Sequence, residues 1–401
     1  MAALAVAAAF ASPALTQQTA TGPAPAAAST EVSSTMTPRH AAAQAAGYRA
    51  LHVCTATFSS GLPADIIDRT GGVVDLYVMT HEHLDHVQGL LSAARKGLTL
   101  TAKYAWLTGS ADPHYYENNP QARKRRLEMD AALGDAIRVL QATPDPELER
   151  LLWNNSTRLG ADALGLSTSD YIDHLRTIAP ANRTHYVDRT MKTARTHPFR
   201  EAKLTILAPE ADTTAYYGRL PAGGTLTAAS DAPGGVVSRP RRPAIQALPD
   251  PPPGVDPGAY FDLVRARRGG LRSNLLEIDA ANNNTSVVVQ IEWRGWRLLF
   301  PGDAELKSWR MMHDLGLLKP AHVVKISHHG SHNGTLEEIF DDLLPPVSPD
   351  GRDRFALVST ADESFDSVPD PPTLDFYRGR CTVRDTREAA RGEAVEIVLA
   401  G

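Results

Sequence analysis

Apolar positions in this chain come mostly in short runs of four to seven residues, broken by turns and by a few longer stretches of helical spacing. Leu76 to Met79 is one such run behind Gly71-Gly72; it reads as a buried strand, with Thr80 opening the loop at its carboxyl end. Ahead of it, the β-branched stretch Tyr48 to Phe58 reads as a strand, and Leu62 to Arg69 as a short helix or turn. Val87, Leu90, Leu91 and Ala94 repeat at helical spacing, so a helix is predicted over Val87 to Lys96, stopped by Gly97. Leu98 to Leu107 alternates as a strand would and ends in the turn-rich Thr108 to Pro113. Residues 120–142 carry Leu127, Ala131, Ile137 and Leu140 on one face of an amphipathic helix ended by Pro144. A second helical region, about 146–178, is interrupted by Gly160 and Gly165.

Lys203 to Leu207 reads as a strand running into Ala208-Pro209. Residues 210–258 collect Gly, Pro and Asp and read as a long flexible loop, followed by a helix capped by Asp256, with Pro257 at its first position, running to Arg267. Val287 to Trp293 and Trp296 to Phe300 form a predicted hairpin turning at Arg294-Gly295. Helices follow over Glu305 to Leu315 and over Thr335 to Leu344, the latter capped by Thr335, and strands near Phe355 to Ser359, Cys381 to Arg384 and Val395 to Leu399. Strands and helices mixed through both halves imply an α/β fold of two packed sheets with helices outside.

The chain has 401 residues, 42% of them hydrophobic and 22% charged, enough to bury a large core. A formal charge of −5 gives no electrostatic case for a surface that coats nucleic acid. Two cysteines, Cys54 and Cys381, are too few for a disulfide framework and form no Cys-x-x-Cys pair. No apolar stretch reaches the roughly 20 residues of a membrane span. Residues 1–45 are rich in Ala, Pro, Ser and Thr and open like the apolar core of an export signal, yet their first basic residue is Arg39. They read equally as a remnant signal or a disordered tail, which leaves the compartment open between cytoplasm and export. Residues 46–401 then form one domain, with a helical insertion at about 115–180.

Candidate chemistry concentrates where strands end. His81, His83, Asp85 and His86 crowd behind the Leu76 to Met79 run. On an extended loop alternate residues turn to the same side, so His81 and His83 are expected to share one cation while Asp85 and His86 serve a second. Leu298 to Phe300 runs into Pro301-Gly302-Asp303, which presents Asp303 as a bridging carboxylate. Val323 to Ile326 runs into Ser327-His328-His329-Gly330-Ser331, with His328 the preferred ligand of the pair. Arg123, Lys124, Arg125 and Arg126 read as a solvated helix face rather than a phosphate site, and His114 as a loop histidine.

The His-x-His-x-Asp-His run, the Pro-Gly-Asp-Ala turn and the His-His-Gly-Ser turn resemble the metallo-β-lactamase superfamily. With Asn283-Asn284-Thr285-Ser286 ahead of the Gly-Asp turn, they look most like the soluble domain of bacterial competence proteins for DNA uptake. The likeness covers roughly residues 70–110 and 270–385. It implies an αββα sandwich, here with a helical insertion and a long Pro/Gly-rich loop, and one or two zinc ions, with manganese as the alternative. A metal-bound hydroxide would be the nucleophile. It implies metal ligation by His81, His83, Asp85, His86, Asp303 and His328, with Asp85 and Asp303 catalytic. Asn284, Lys325 and Ser331 are then candidates for substrate contact, Asn284 equally for bracing the Asp303 turn and Lys325 for a structural role. The chain departs from the superfamily in two places: it leaves little room for the usual leading hairpin, and Ala208-Pro209 stands where a third histidine is usual. His185 and His197 are the nearest substitutes, and both read as loop residues. The expected function is metal-dependent hydrolysis, with a phosphodiester preferred over a lactam, lactone or thioester; a non-catalytic metal-binding or scaffold protein is the contrasting class.

Overall fold

The computed structural model describes residues 2–7, 51–54, 66–67, 70–142, 151–152, 155, 168–216, 275–360 and 368–388, with single positions at 395, 397 and 399. The expected helix at 256–267, most of the 210–258 loop and most of the 146–178 region lie outside the described residues, as does a strand at 395–399.

Two sheets form the centre. The first has the order β2-β1-β3-β4-β5, from β1 (Ala2–Ala7), β2 (Leu51–Cys54), β3 (Val73–Met79), β4 (Thr101–Thr108) and β5 (Thr184–Val187). All its pairings are parallel. Within the segment read as a signal remnant or tail, Ala2–Ala7 is thus a strand, hydrogen-bonded between β2 and β3. The second sheet has the order β11-β10-β9-β8-β7-β6, from β6 (Ala202–Ala208), β7 (Val288–Trp293), β8 (Trp296–Phe300), β9 (Val323–Lys325), β10 (Phe355–Val358) and β11 (Thr382–Asp385). Here β6, β7 and β8 are antiparallel neighbours, with the hairpin turn at Arg294-Gly295, while β8 to β11 run parallel.

Alternation along the strands sorts their side chains into layers. Leu76 and Val78 of β3 meet Leu204 and Ile206 of β6, Val289 and Ile291 of β7, and Leu298 and Phe300 of β8 in a core between the sheets, with Trp106 fully buried among them. The intervening Tyr77 and Met79 face outward onto α1 (Leu84–Ala94) and α3 (Thr168–Arg176) through Leu84, Val87, Leu90, Tyr171 and Leu175. On the far side, Val288, Leu299, Val324 and Val358 pack against α5 (Leu306–Asp314) and α6 (Pro371–Arg378) through Trp309, Met312, Leu374 and Tyr377. The packing is therefore helix, sheet, sheet, helix, an α/β sandwich.

The helix α2 (Pro120–Ala142) stands where 120–142 was expected, but its buried face differs. Met129, Leu133 and Ala136 pack on Leu275, Ile278 and Ala281 of a helix at 275–284, α4, whereas Leu127 is 60% exposed. A helical period fixes that some face is buried and leaves its rotation to the partner. The predicted helix over Thr335 to Leu344 is shorter than expected: a 3-10 turn at Glu337–Ile339 precedes one α turn at Phe340–Leu343, and Thr335 caps neither, its hydroxyl meeting that of Tyr377 instead. No helix among the described residues is long and apolar enough to cross a membrane.

Candidate metal centre

The carboxyl ends of β3, β8 and β9 meet at one place, where ligands gather in α/β sheets because loops there lie beyond the last strand hydrogen bonds. β3 delivers Thr80 and His81, and the chain then turns directly into α1, whose first helical residue is Leu84. Asp85 and His86 therefore sit on the first helical turn rather than on an extended loop, with Asp85 complementing the positive end of the helix dipole. A hydrogen bond from Val287 N to the Thr80 carbonyl, 2.9 Å, ties this end of β3 to the approach to β7.

Asp303 follows Gly302 at the end of β8. Gly302 has φ +60, and a Cβ there would lie 3.0 Å from Thr80 Cβ and 3.1 Å from Ser286 Cβ, so only glycine lets the three segments close up. Ser286 Oγ accepts from Asp303 N at 3.1 Å and lies 3.2 Å from His81 Nδ1, which fixes the carboxylate and the imidazole to a common post. The β9 turn is tied on by Ser327 Oγ, which donates to the Ala304 carbonyl at 2.5 Å. In that turn both His328 (φ 44) and His329 (φ 55) take the left-handed conformation, costly for residues with a Cβ and found where a site imposes it. Gly330 completes the turn at φ +83, with Pro369 Cβ 2.9 Å from where its own would lie.

His86 Nε2 and His329 Nε2 stand 3.0 and 3.1 Å from the same oxygen, Asp303 Oδ2. The ligand atoms of His81, His86 and Asp303 lie within 4.8 Å of one another, as do those of Asp85, His86 and His329. Every one of these residues is at most 4% exposed. His81 Nε2 is buried and has no hydrogen-bond partner among the described residues, while its Nδ1 lies 3.1 Å from Thr80 Oγ1, a hydroxyl that can accept its proton. His329 Nδ1 lies 3.1 Å from the Ser359 carbonyl, which only accepts, so the proton of the neutral ring belongs on Nδ1 and the Nε2 lone pair points at Asp303.

Burial keeps His81 and His329 neutral. Burial, reinforced by His86 and His83, pushes His81 well below the usual histidine range. Burial takes His329 down to about 4 against the pull of Asp303. For Asp303 burial alone would raise the value, but His86, His329 and Lys325 hold it well below the usual carboxylate range. Lys325, 1% exposed, places Nζ 3.7 Å from Asp303 Oδ1, and burial lowers its ammonium despite that partner.

The remaining expected residues fall differently. His83 does not join His81: its Nε2 lies 2.9 Å from Asn155 Oδ1, the rings of the two histidines meeting edge-on at 4.6 Å. Of the histidine pair in the β9 turn it is His329, not His328, that reaches Asp303, because consecutive left-handed residues splay the two rings apart, their centroids 6.0 Å from each other. His328 Nδ1 instead lies 3.2 Å from Glu305 Oε1. Asn284 engages both ends of its amide inside the protein, Nδ2 donating to the Ala280 carbonyl at 2.6 Å and Oδ1 accepting from Ser308 N at 2.8 Å, so it braces α5. Lys325 is spent on Asp303, and Ser331 sits half-buried beside the turn.

His114 is exposed beside Glu117, His185 is half-buried on β5, and His197 stacks on Phe199; none belongs to a metal-competent group among the described residues. Arg125 and Arg126 are spent on Glu128, Glu82 and Asp130. Cys381 donates to the Tyr377 carbonyl at 3.2 Å, with burial pushing its thiol up to about 12. Reading the residues alone missed the posts, Thr80 and Ser286, and a separate group formed by Asp279, Glu305 and His328. A partial signal existed for the latter, since Asp279 and Asn283 stand one helical turn apart.

These observations define an α/β protein with buried histidine and aspartate groups that could hold a metal ion. No protein-family model matches the chain, and no curated protein matches it significantly.

Proposed function

We propose that this chain is a metal-dependent hydrolase of the metallo-β-lactamase type, acting by preference on a phosphodiester. The observation that carries the reading is the convergence on Asp303 Oδ2 of two imidazole nitrogens, at 3.0 and 3.1 Å, one of them with its lone pair directed there by the Ser359 carbonyl. The His329 lone pair and the carboxylate oxygen repel unless a positive charge lies between them, and a His329 held at about 4 does not supply a proton at neutral pH. A divalent cation fits both the donors and the unpartnered His81 Nε2.

Three nitrogens and a carboxylate suit zinc, held by His81, His86, Asp303 and His329 with Asp85 adjacent. When bound, the cation supplies Lewis acidity and brings the pKa of water toward about 7. Lys325 balances the charge of Asp303 from its far oxygen, and Thr80, Ser286 and Ser359 hold the imidazoles in one orientation. Asp85, 3.7 Å from His86 Nε2, receives the proton of the attacking water as the water oxygen bonds to phosphorus and the leaving oxygen departs as the anion. The layered α/β fold and the competence-type motifs support the same branch, and the substrate is a small diester or a short strand end, since the net charge of −5 offers no nucleic-acid coat.

The test is metal analysis of the purified protein, then turnover of bis(p-nitrophenyl) phosphate and of a chromogenic lactam with and without chelator. Chelator-sensitive cleavage of the diester, lost in Asp303→Asn, is expected. Cleavage of the lactam alone would move the protein to the lactam, lactone or thioester class, and turnover of neither with metal bound would make it a metal-binding scaffold.

A further inference from the structure

Beside the first centre lies a group of different chemistry. One ligand atom each from Asp279, Glu305 and His328 lie within 4.8 Å of one another. The two carboxylate side chains are only 15% and 7% exposed. They come from three separate segments, α4, the residue before α5, and the β9 turn, so no local sequence preference explains their meeting. Asn283, 1% exposed, donates its amide to Asp279 Oδ2 at 3.3 Å and to Glu305 Oε1 at 2.8 Å, binding the pair together. Its Oδ1 is buried, with no hydrogen-bond partner among the described residues. Two carboxylates this close repel, and a divalent cation held between them with neutral His328 balances the charge of the pair.

We propose that Asp279, Glu305 and His328 form a second cation site, richer in oxygen than the first, which takes a harder divalent ion such as Mn2+. Ligand softness decides the assignment: imidazole-rich sets suit zinc, and carboxylate and carbonyl oxygens suit manganese, magnesium or calcium. The left-handed pair at His328 and His329 is what allows two centres to share one turn, each ring serving its own side. A glycine pair would remove the backbone cost and both imidazoles with it. His83 borders the site through its 3.7 Å approach to Asp279 Oδ1. Its ring also touches His81 edge-on, so the two sites adjoin.

The experiment uses the full chain, stripped of metal, loaded with one equivalent of Zn2+, and titrated with Mn2+ while the electron paramagnetic resonance signal of free Mn2+ is followed. One further equivalent of Mn2+ is expected to bind. Asp279→Asn and His328→Gln should each weaken it at least tenfold with retained zinc unchanged. The two substitutions lie on different segments, so loss of fold in one, seen by circular dichroism, leaves the other to decide. Zinc bound with no uptake of Mn2+, or uptake by both variants equal to that of the parent, overturns the second site and leaves the first standing. Failure to bind either ion overturns both.

Discussion

Replacing Gly302 with alanine tests whether the site depends on close approach of three strand ends. Two costs add at this position. A left-handed conformation costs a residue with a Cβ about 1–2 kcal/mol. The new methyl would also lie 3.0 Å from Thr80 Cβ and 3.1 Å from Ser286 Cβ and Oγ, inside ordinary contact. Overpacking of this kind costs about 1–3 kcal/mol more, because both neighbours are anchored through hydrogen bonds to His81 and Asp303. The total is about 2–5 kcal/mol. Gly316 is the control: its φ is +63 and nothing lies within 4 Å of its Cβ position, so Gly316→Ala should lose only the conformational part, about 1–2 kcal/mol. Denaturant unfolding of the parent and both variants gives the two losses, and metal analysis gives the consequence, since displaced Thr80 and Ser286 no longer hold His81 and Asp303. Gly302→Ala should be the less stable and should lose bound metal while Gly316→Ala retains it. Equal losses in the two variants, or full metal retention in Gly302→Ala, would refute the close-approach argument.

Chelation should lower the thermal midpoint of the parent, since an ion held at a hundredfold excess over its dissociation constant contributes about 2.7 kcal/mol, and the midpoint of Asp303→Asn should not respond. Asp303→Asn should itself be destabilised by about 3–5 kcal/mol in chelator because the fully buried Lys325 loses its counter-charge, an effect read by denaturant unfolding that Lys325→Met in the same background should relieve. In metal-free protein, His329, lowered to about 4, is charged in the unfolded state and neutral in the folded one between about 4 and 6.5, so stability should rise with pH there. His328 is opposed by burial but raised to about 9 by Glu305, with help from Asp303 and Asp279, so its contribution is complete below 6.5 and lost as pH climbs from 6.5 to 9. Unfolding measured across that range should fall on the alkaline side, and His328→Gln should flatten that fall while leaving the acid side unchanged. Asn284→Ala should cost about 1 kcal/mol through the lost brace on Ser308 N, with metal content unchanged; loss of metal instead would place Asn284 in the site.

The strands that carry the chemistry were legible because their evidence is local. Leu76 to Met79, Leu298 to Phe300 and Val323 to Lys325 are apolar runs with polar ligands directly behind them, and each is a strand ending at the site. The helix at 120–142 was legible for the same reason, but its face was not: Leu127 points to solvent and Met129 and Leu133 to α4, because rotation about a helix axis is set by the partner. The assignment of nitrogens was likewise out of reach. Spacing paired His81 with His83, yet α1 begins at Leu84 and swings His86 toward Asp303, while Asn155, distant in sequence, takes His83.

The sequence by itself determined the α/β pattern, the strand ends and the supply of imidazoles and carboxylates, since periodicity and turn residues act over a few positions. Only the tertiary structure decided that His329 rather than His328 faces Asp303, that Lys325 and Asn284 are spent inside the protein, and that Asp279 and Glu305 meet His328. Those choices depend on left-handed backbone angles and on contacts between segments that share no local period, and such contacts exist only once the two sheets have packed.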